Sequence, residues 1–246
     1  MVTTLVRQQQ EGDMDYTNLG GKLESLLGLQ RHAISITFLD ALPAGVNRVK
    51  SPGPASCAYW RQASEGEVFY TTTEDHLNCT IGAYTHGAPL SPEKAADLQS
   101  TVGKMIGLGY LRAEEVESIP HRTQPLHVAV YAPLAQSPFA PDVVLVRGNA
   151  KHLMLLTEAA LAAGIGPQGG IIGRPTCAFI PAAIESGHTI PSLGCIGNRV
   201  YTALGDDELY FAIPGSRVAD LTRELEKIVA ANCALQSFHE ERCACA

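Results

Sequence analysis

Charged residues are few in this sequence. Asp, Glu, Lys and Arg make up 17% of its 246 residues, with 18 basic against 25 acidic side chains and a net charge of -7. The basic residues never gather in a block, so the chain lacks the footprint that neutralises a phosphate backbone, which counts against nucleic acid and an anionic membrane surface as ligands. No apolar run reaches the roughly 20 residues that span a bilayer. Residues 1–15, with Gln8, Gln9, Gln10, Glu11, Asp13 and Asp15, lack the basic and apolar regions of a secretory signal. They are read as a disordered leader, and the compartment as the cytoplasm. The seven cysteines include no C-x-x-C pair, which leaves out the usual zinc-ribbon and ferredoxin spacings. In a reducing cytoplasm they are expected as metal ligands, reactive thiols or core residues rather than disulfides. The thin charged surface leaves room for a redox partner protein or a second copy of the chain.

Helical and extended patterns alternate along the chain. Leu19, Leu23, Leu26 and Leu27 fall on one helical face within Tyr16 to Leu27, and Ala33 to Leu39 reads as a strand. Pro and Gly residues between Pro43 and Pro54 form a loop ending at Ser56 and Cys57. Strands are expected at Glu67 to Thr72, Leu126 to Tyr131, Asp142 to Val146 and Glu208 to Ile213. Helices are expected from Ser91 to about Leu108, from Asn149 to Ala163, and from Ser216 to about Asn232. The pattern predicts an α/β fold, a single globular unit over residues 16–232 made of two pseudo-repeated halves (about 16–125 and 126–232), with mixed sheets and flanking helices. Residues 233–246 are read as a flexible tail.

The chemistry-bearing feature is a repeat of cysteines. Ser56-Cys57-Ala58-Tyr59, followed by Glu65 and Gly66, ends at Cys79 with Ile81, Gly82 and Thr85 behind it. Thr176-Cys177-Ala178-Phe179, followed by Glu185 and Gly187, ends at Cys195 with Ile196, Gly197 and Thr202 behind it. If the elements are copies packed about a pseudo-two-fold axis, Cys57, Cys79, Cys177 and Cys195 meet at one centre. A cysteine in the first turn of a helix feels the positive end of its dipole, so Cys57 is expected to have a lowered pKa; Pro181 weakens that argument for Cys177. For any one of these cysteines a small core residue is the commoner role, and it is the repeated offsets that favour ligands.

The stretch from Leu29 to Val46, Cys57 with Gly66 and Tyr70, Cys79 with Gly82 and Gly87, Pro141-Asp142-Val143-Val144-Leu145, Arg174-Pro175-Thr176-Cys177, and Gly194-Cys195-Ile196-Gly197 with Ile213-Pro214 together resemble the domain-of-unknown-function family 169. The likeness covers most of residues 16–232. It implies a cysteine-bearing bacterial or archaeal cytoplasmic protein and carries over no catalytic residue.

Glu65 and Glu185 hold equivalent places and are candidate acid and base residues, although a solvated glutamate near a helix end is the commoner case. His76, His86 and His188 flank the cysteine elements as further candidate ligands. The glycines at 164, 166, 169, 170 and 173 match no phosphate-binding pattern and are read as a loop that positions Cys177. Gly173, Arg174 and Gly194 are candidate cofactor-contacting residues, and Arg174 suits a thiolate or a carboxylate. His239, Cys243 and Cys245 form a candidate soft-metal arm, and Cys233 is read as structural. Soft thiolates at four repeated positions point to an iron-sulfur cluster of the four-iron four-sulfur type, with zinc or copper as alternatives, serving a redox or Lewis-acid activity on a small molecule. A metal-free thiol enzyme and a metal or cofactor carrier are the competing readings.

Overall fold

A computed structural model describes residues 14–168 and 173–244. The sequence up to Asp13, the glycines at 169 and 170, and Cys245 lie outside the described residues. Asp15 opens helix α1 (Tyr16–Leu27) by accepting the Asn18 N–H, and Gly28, in the left-handed conformation at φ 65°, closes it. Strand β1 (Ile34–Leu39) follows, then α2 (Ala58–Ser64), β2 (Phe69–Thr72), the short α3 (Thr73–His76) and α4 (Thr80–Thr85), the long α5 (Pro92–Gly107) and β3 (Val128–Pro133). The second set is β4 (Val143–Asn149), α6 (Ala150–Ala162), a 3-10 turn at Thr176–Ala178 running into α7 (Phe179–Ser186), β5 (Ile190–Ser192), α8 (Ile196–Thr202), β6 (Glu208–Pro214) and α9 (Val218–Ala244).

The six strands form one sheet in the order β2-β3-β1-β4-β6-β5, with every neighbouring pair antiparallel. The expected mixed sheet is therefore corrected to an antiparallel one. β1 and β2 do run parallel, but β3 inserts between them, just as β6 inserts between β4 and β5. The strands alternate between two cores. Val143, Leu145, Tyr210 and Ala212 point into one with Tyr59, Trp60 and Phe179, while Val144, Val146, Phe211 and Ile213 point into the other with Leu23, Leu156 and Leu221. Both faces are thus covered by helices, which is why these strands read as unbroken apolar runs, the signature more often seen in parallel sheets. α1, α6 and α9 cover one face; α2 and α7, each preceded by a cysteine, pack on the other.

Pro181 sits in the first turn of α7, where a missing N–H costs no helical hydrogen bond. One further expectation changes. α9 does not end near Asn232: Ala, Leu, Gln, Glu and Arg without Gly or Pro carry it to Ala244, past the body of the protein, so residues 233–244 form an exposed helix.

Arg147 ties β4 to β6 where the strands end. It is 8% exposed, its Nε donates to Glu208 at 2.9 Å, and it also donates to the Thr202 and Ala203 carbonyls at 3.1 and 2.6 Å. Burial pushes the Glu208 carboxyl up, but Arg147 and the Gly205 N–H more than offset this and hold it below the usual carboxylate range. Such a group adds stability at pH values above its unfolded pKa, and that stability is withdrawn as pH falls through the folded value. Glu208→Gln leaves the guanidinium without its counter-ion and is expected to cost roughly 2 kcal/mol at pH 7, allowing for solvent at the carboxylate. The gap from wild type should narrow between about pH 5 and pH 3, as read by urea denaturation at each pH.

Candidate functional site

All four repeated cysteines open onto a single cavity of about 790 Å³ on the face covered by α2 and α7. Each arrives at the start of a helical segment. Cys57 immediately precedes α2, and Cys177 lies in the turn before α7. Cys79 and Cys195 are the capping residues of α4 and α8, and each sulfur accepts a backbone N–H three residues ahead, from Gly82 and Asn198, both at 3.4 Å. Two chemically matched corners therefore face the same space.

The electrostatics reverse one expectation. Burial pushes the Cys57 thiol up to about 12; the Asn198 carboxamide pulls against it, and the charges of Cys79 and Cys195 add to it. Cys79 is raised by burial and by Cys195, against the Gly82 N–H, and Cys177 is raised well above the usual thiol value by burial, against the Thr85 hydroxyl, with Cys79, Cys57 and Cys195 adding. α2 spans only seven residues, and the pull of so short a dipole is outweighed by an apolar setting. The mutual influence shows that the thiols are neighbours. Among the described residues, however, no three His, Cys, Asp or Glu side chains stand close enough to hold a single metal ion.

Other predicted residues are placed as follows. Arg174 reaches the cavity, its guanidinium 5.1 Å from the centre of the Tyr110 ring and donating to the Tyr110 carbonyl. Glu65 does not reach it. Its carboxylate is held outside by Arg31 and Arg61, both at 2.9 Å, because α2 carries it to the end remote from Cys57. Glu185, near the end of α7, is likewise absent from the cavity wall. Neither glutamate is thus placed to act as acid or base beside the sulfurs. Gly173 also lies off the wall, and Gly194, at φ 80°, shapes it indirectly: a Cβ there would come within 2.7 Å of Leu204 and 3.1 Å of Asn198 Oδ1.

The histidines do not line the cavity either. His76 is fully buried between Thr71 and Ser56, with its Nε2 and Nδ1 both 2.8 Å from those hydroxyls. The Thr71 hydroxyl donates to the Ala129 carbonyl, so His76 carries its proton on Nε2 and takes the Ser56 proton at Nδ1. Burial lowers its pKa to about 4, keeping the ring neutral. His86 is buried with no partner for either ring nitrogen, while His188 is occupied by Gln168 and the Gly166 carbonyl. Cys233 and Cys243 are exposed on α9, so Cys233 is not a packing residue there.

Sequence reasoning missed Ser56, Thr85 and Asn198 as parts of the site. Asn198 is 2% exposed and lies in the cavity wall, yet neither carboxamide atom has a partner in hydrogen-bonding geometry. Its signal was its place, three residues after Cys195, matching Gly82 after Cys79. It also missed the part of the wall that α5 supplies through Leu98, Val102 and Ile106.

A two-faced antiparallel α/β sheet with a cysteine-lined cavity under one helical layer is the class of protein that emerges. The chain belongs to the DUF169 family, described as "Uncharacterised ArCR", whose model matches residues 22–224. It is similar to the uncharacterized protein MJ0308 of Methanocaldococcus jannaschii, with 30% identity over 172 residues, covering 66% of this chain and 71% of the relative. No solved structure matches it.

With a thiol pKa of about 12, roughly one Cys57 in ten thousand is ionised at pH 8. Iodoacetamide is therefore expected to label Cys57 of the folded, metal-free chain at least about tenfold more slowly than exposed Cys233, with a rate that climbs steeply as pH rises. Peptide mass spectrometry after timed quenching measures both rates in one sample.

Proposed function

We propose that Cys57, Cys79, Cys177 and Cys195 hold an iron-sulfur cluster, of the four-iron four-sulfur type, that serves a redox or Lewis-acid reaction on a small molecule in the reducing cytoplasm. The supporting observation is the convergence of four thiols, from four separate helix starts, on one cavity. The donor chemistry fits. Four soft sulfur ligands in apolar surroundings suit iron-sulfur chemistry, and binding iron deprotonates thiols that otherwise resist ionisation in each other's company. A tetrahedral zinc ion needs all four sulfurs within about 2.3 Å of one point, whereas a cluster places inorganic atoms between its ligands and accepts a wider spread. The preference for a cluster over zinc or copper therefore rests on this chemistry of the ligands.

When bound, the cluster would supply an electron or, where only three of the four cysteines coordinate it, an open iron as Lewis acid. The surrounding residues do the rest: Gly82 and Asn198 N–H groups donate to the Cys79 and Cys195 sulfurs, and the Gly82 bond favours the Cys79 anion. The metal-free thiol reading fits less well, since burial disfavours the thiolate of Cys57, its best nucleophile. We also infer that the two halves descend from one duplicated unit. Read outward from the β1–β4 seam, both sides carry their strands in the order first, third, second, and both place a capping cysteine at a helix between the second and third strands.

Anaerobic purification or reconstitution should give a brown chain with iron and acid-labile sulfide in equal amounts and a visible band that bleaches on reduction. Cys79→Ser and Cys195→Ser should lower the iron content while circular dichroism stays unchanged. A folded chain that remains colourless and iron-free after reconstitution would overturn the proposal.

A further inference from the structure

The cavity is larger than its cysteine floor requires. At about 790 Å³ it falls within the range of roughly 300–1,000 Å³ that holds organic ligands. The part of its wall built from Leu98, Val102 and Ile106 of α5, with Ile119, offers an apolar surface. Among the described residues, two lining side chains carry formal charge at neutral pH, Asp97 and Arg174. Asp97 is engaged by the Thr80 hydroxyl at 3.0 Å. Arg174 spends one donor on the Tyr110 carbonyl, and its nearest carboxylate, Glu115 at 3.9 Å, is already bonded by Arg112. A guanidinium has five N–H donors in a planar fork, so most of this one is available to an incoming carboxylate.

Asn198 points the same way by independent means. The Asn198 carboxamide leans on the Cys57 sulfur without hydrogen-bonding geometry, and a buried carboxamide so poorly satisfied is a rare arrangement in a folded protein, because leaving such groups unpaired costs on the order of 1–3 kcal/mol. Its place in the cavity wall beside Cys57 puts its donor and acceptor where a ligand's polar group can complete them.

We propose that the cavity binds an organic carboxylate with an apolar body, the carboxylate on Arg174, the body against α5, and a hydroxyl, carbonyl or amide of the same molecule on Asn198. This deepens the reading of the cavity as a reaction site but does not depend on its metal. It places the reacting end of the molecule between Asn198 and the sulfurs and leaves the charged end at Arg174.

The test uses the full chain, with and without reconstituted iron, and two probe pairs: 3-phenylpropionate against 3-phenylpropanamide, and octanoate against octanamide. By titration calorimetry, at least one carboxylate should bind about tenfold more tightly than its neutral partner. Arg174→Gln should abolish that preference and Arg174→Lys should keep part of it, with the fold checked by circular dichroism. To read Asn198, 3-benzoylpropionate, which adds a ketone, should bind more tightly than 4-phenylbutyrate, and Asn198→Leu should remove that gain. Equal affinities within both pairs, no binding of either carboxylate, or a preference that survives Arg174→Gln would overturn the proposal. Iron measured in the same samples separates the two readings. Carboxylate preference in a chain that never takes up iron sustains this inference while the cluster fails; an iron-loaded chain without preference does the reverse.

Discussion

Burial of both faces of one antiparallel sheet is the constraint from which the rest of the molecule follows. A sheet covered twice needs two helical layers, and this chain builds them differently. Long helices α1, α6 and α9 close one face over Leu23, Leu156 and Leu221. The other layer is made of short helical segments over Tyr59, Trp60 and Phe179. Short segments mean many helix starts in a small area, and here four such starts carry cysteine. A layer of long helices would have put its starts at the periphery, with no common space for the sulfurs to share.

Packing and reactivity are coupled in that layer. Cys57 and Cys177 pack against the aromatic core and also line the cavity, so the apolar contacts that hold them also desolvate them. Desolvation drives the thiols toward the neutral form, and each neighbouring sulfur strengthens the effect. A set of thiols that resists ionisation as separate groups is suited to ionise together on a polycationic centre. His76 contributes on the same principle. It is held neutral by burial, fixes the Ser56 hydroxyl from behind, and so anchors the loop that delivers Cys57.

Much of the fold was legible one element at a time. The runs at Val143 to Val146 and at Leu209 to Ile213, and the helix starts at Ser91 and Asn149, correspond to the strands and helices observed, because such signals are local. The sheet's direction was not legible. The alternation of elements suggested mixed sheets, and nothing local says that β3 lies between β1 and β2 or β6 between β4 and β5. The short β5, with Pro191 on the sheet's edge, escaped for want of length, and α9 outran its expected end because its solvated residues are good helix formers.

By itself the sequence determined the alternation of helices and strands, the paired cysteine elements with their matched offsets, and the membership of Arg174 in the same neighbourhood. These are properties of residue order, carried by caps, turns and periodicity. Tertiary structure alone decided that the four cysteines share one cavity, that Glu65 is drawn off by Arg31 and Arg61, that Cys57 is raised rather than lowered in pKa, and that Asn198 is buried without a partner. Desolvation and long-range charge depend on what the rest of the chain brings within a few ångströms, and spacing along the chain does not encode that distance.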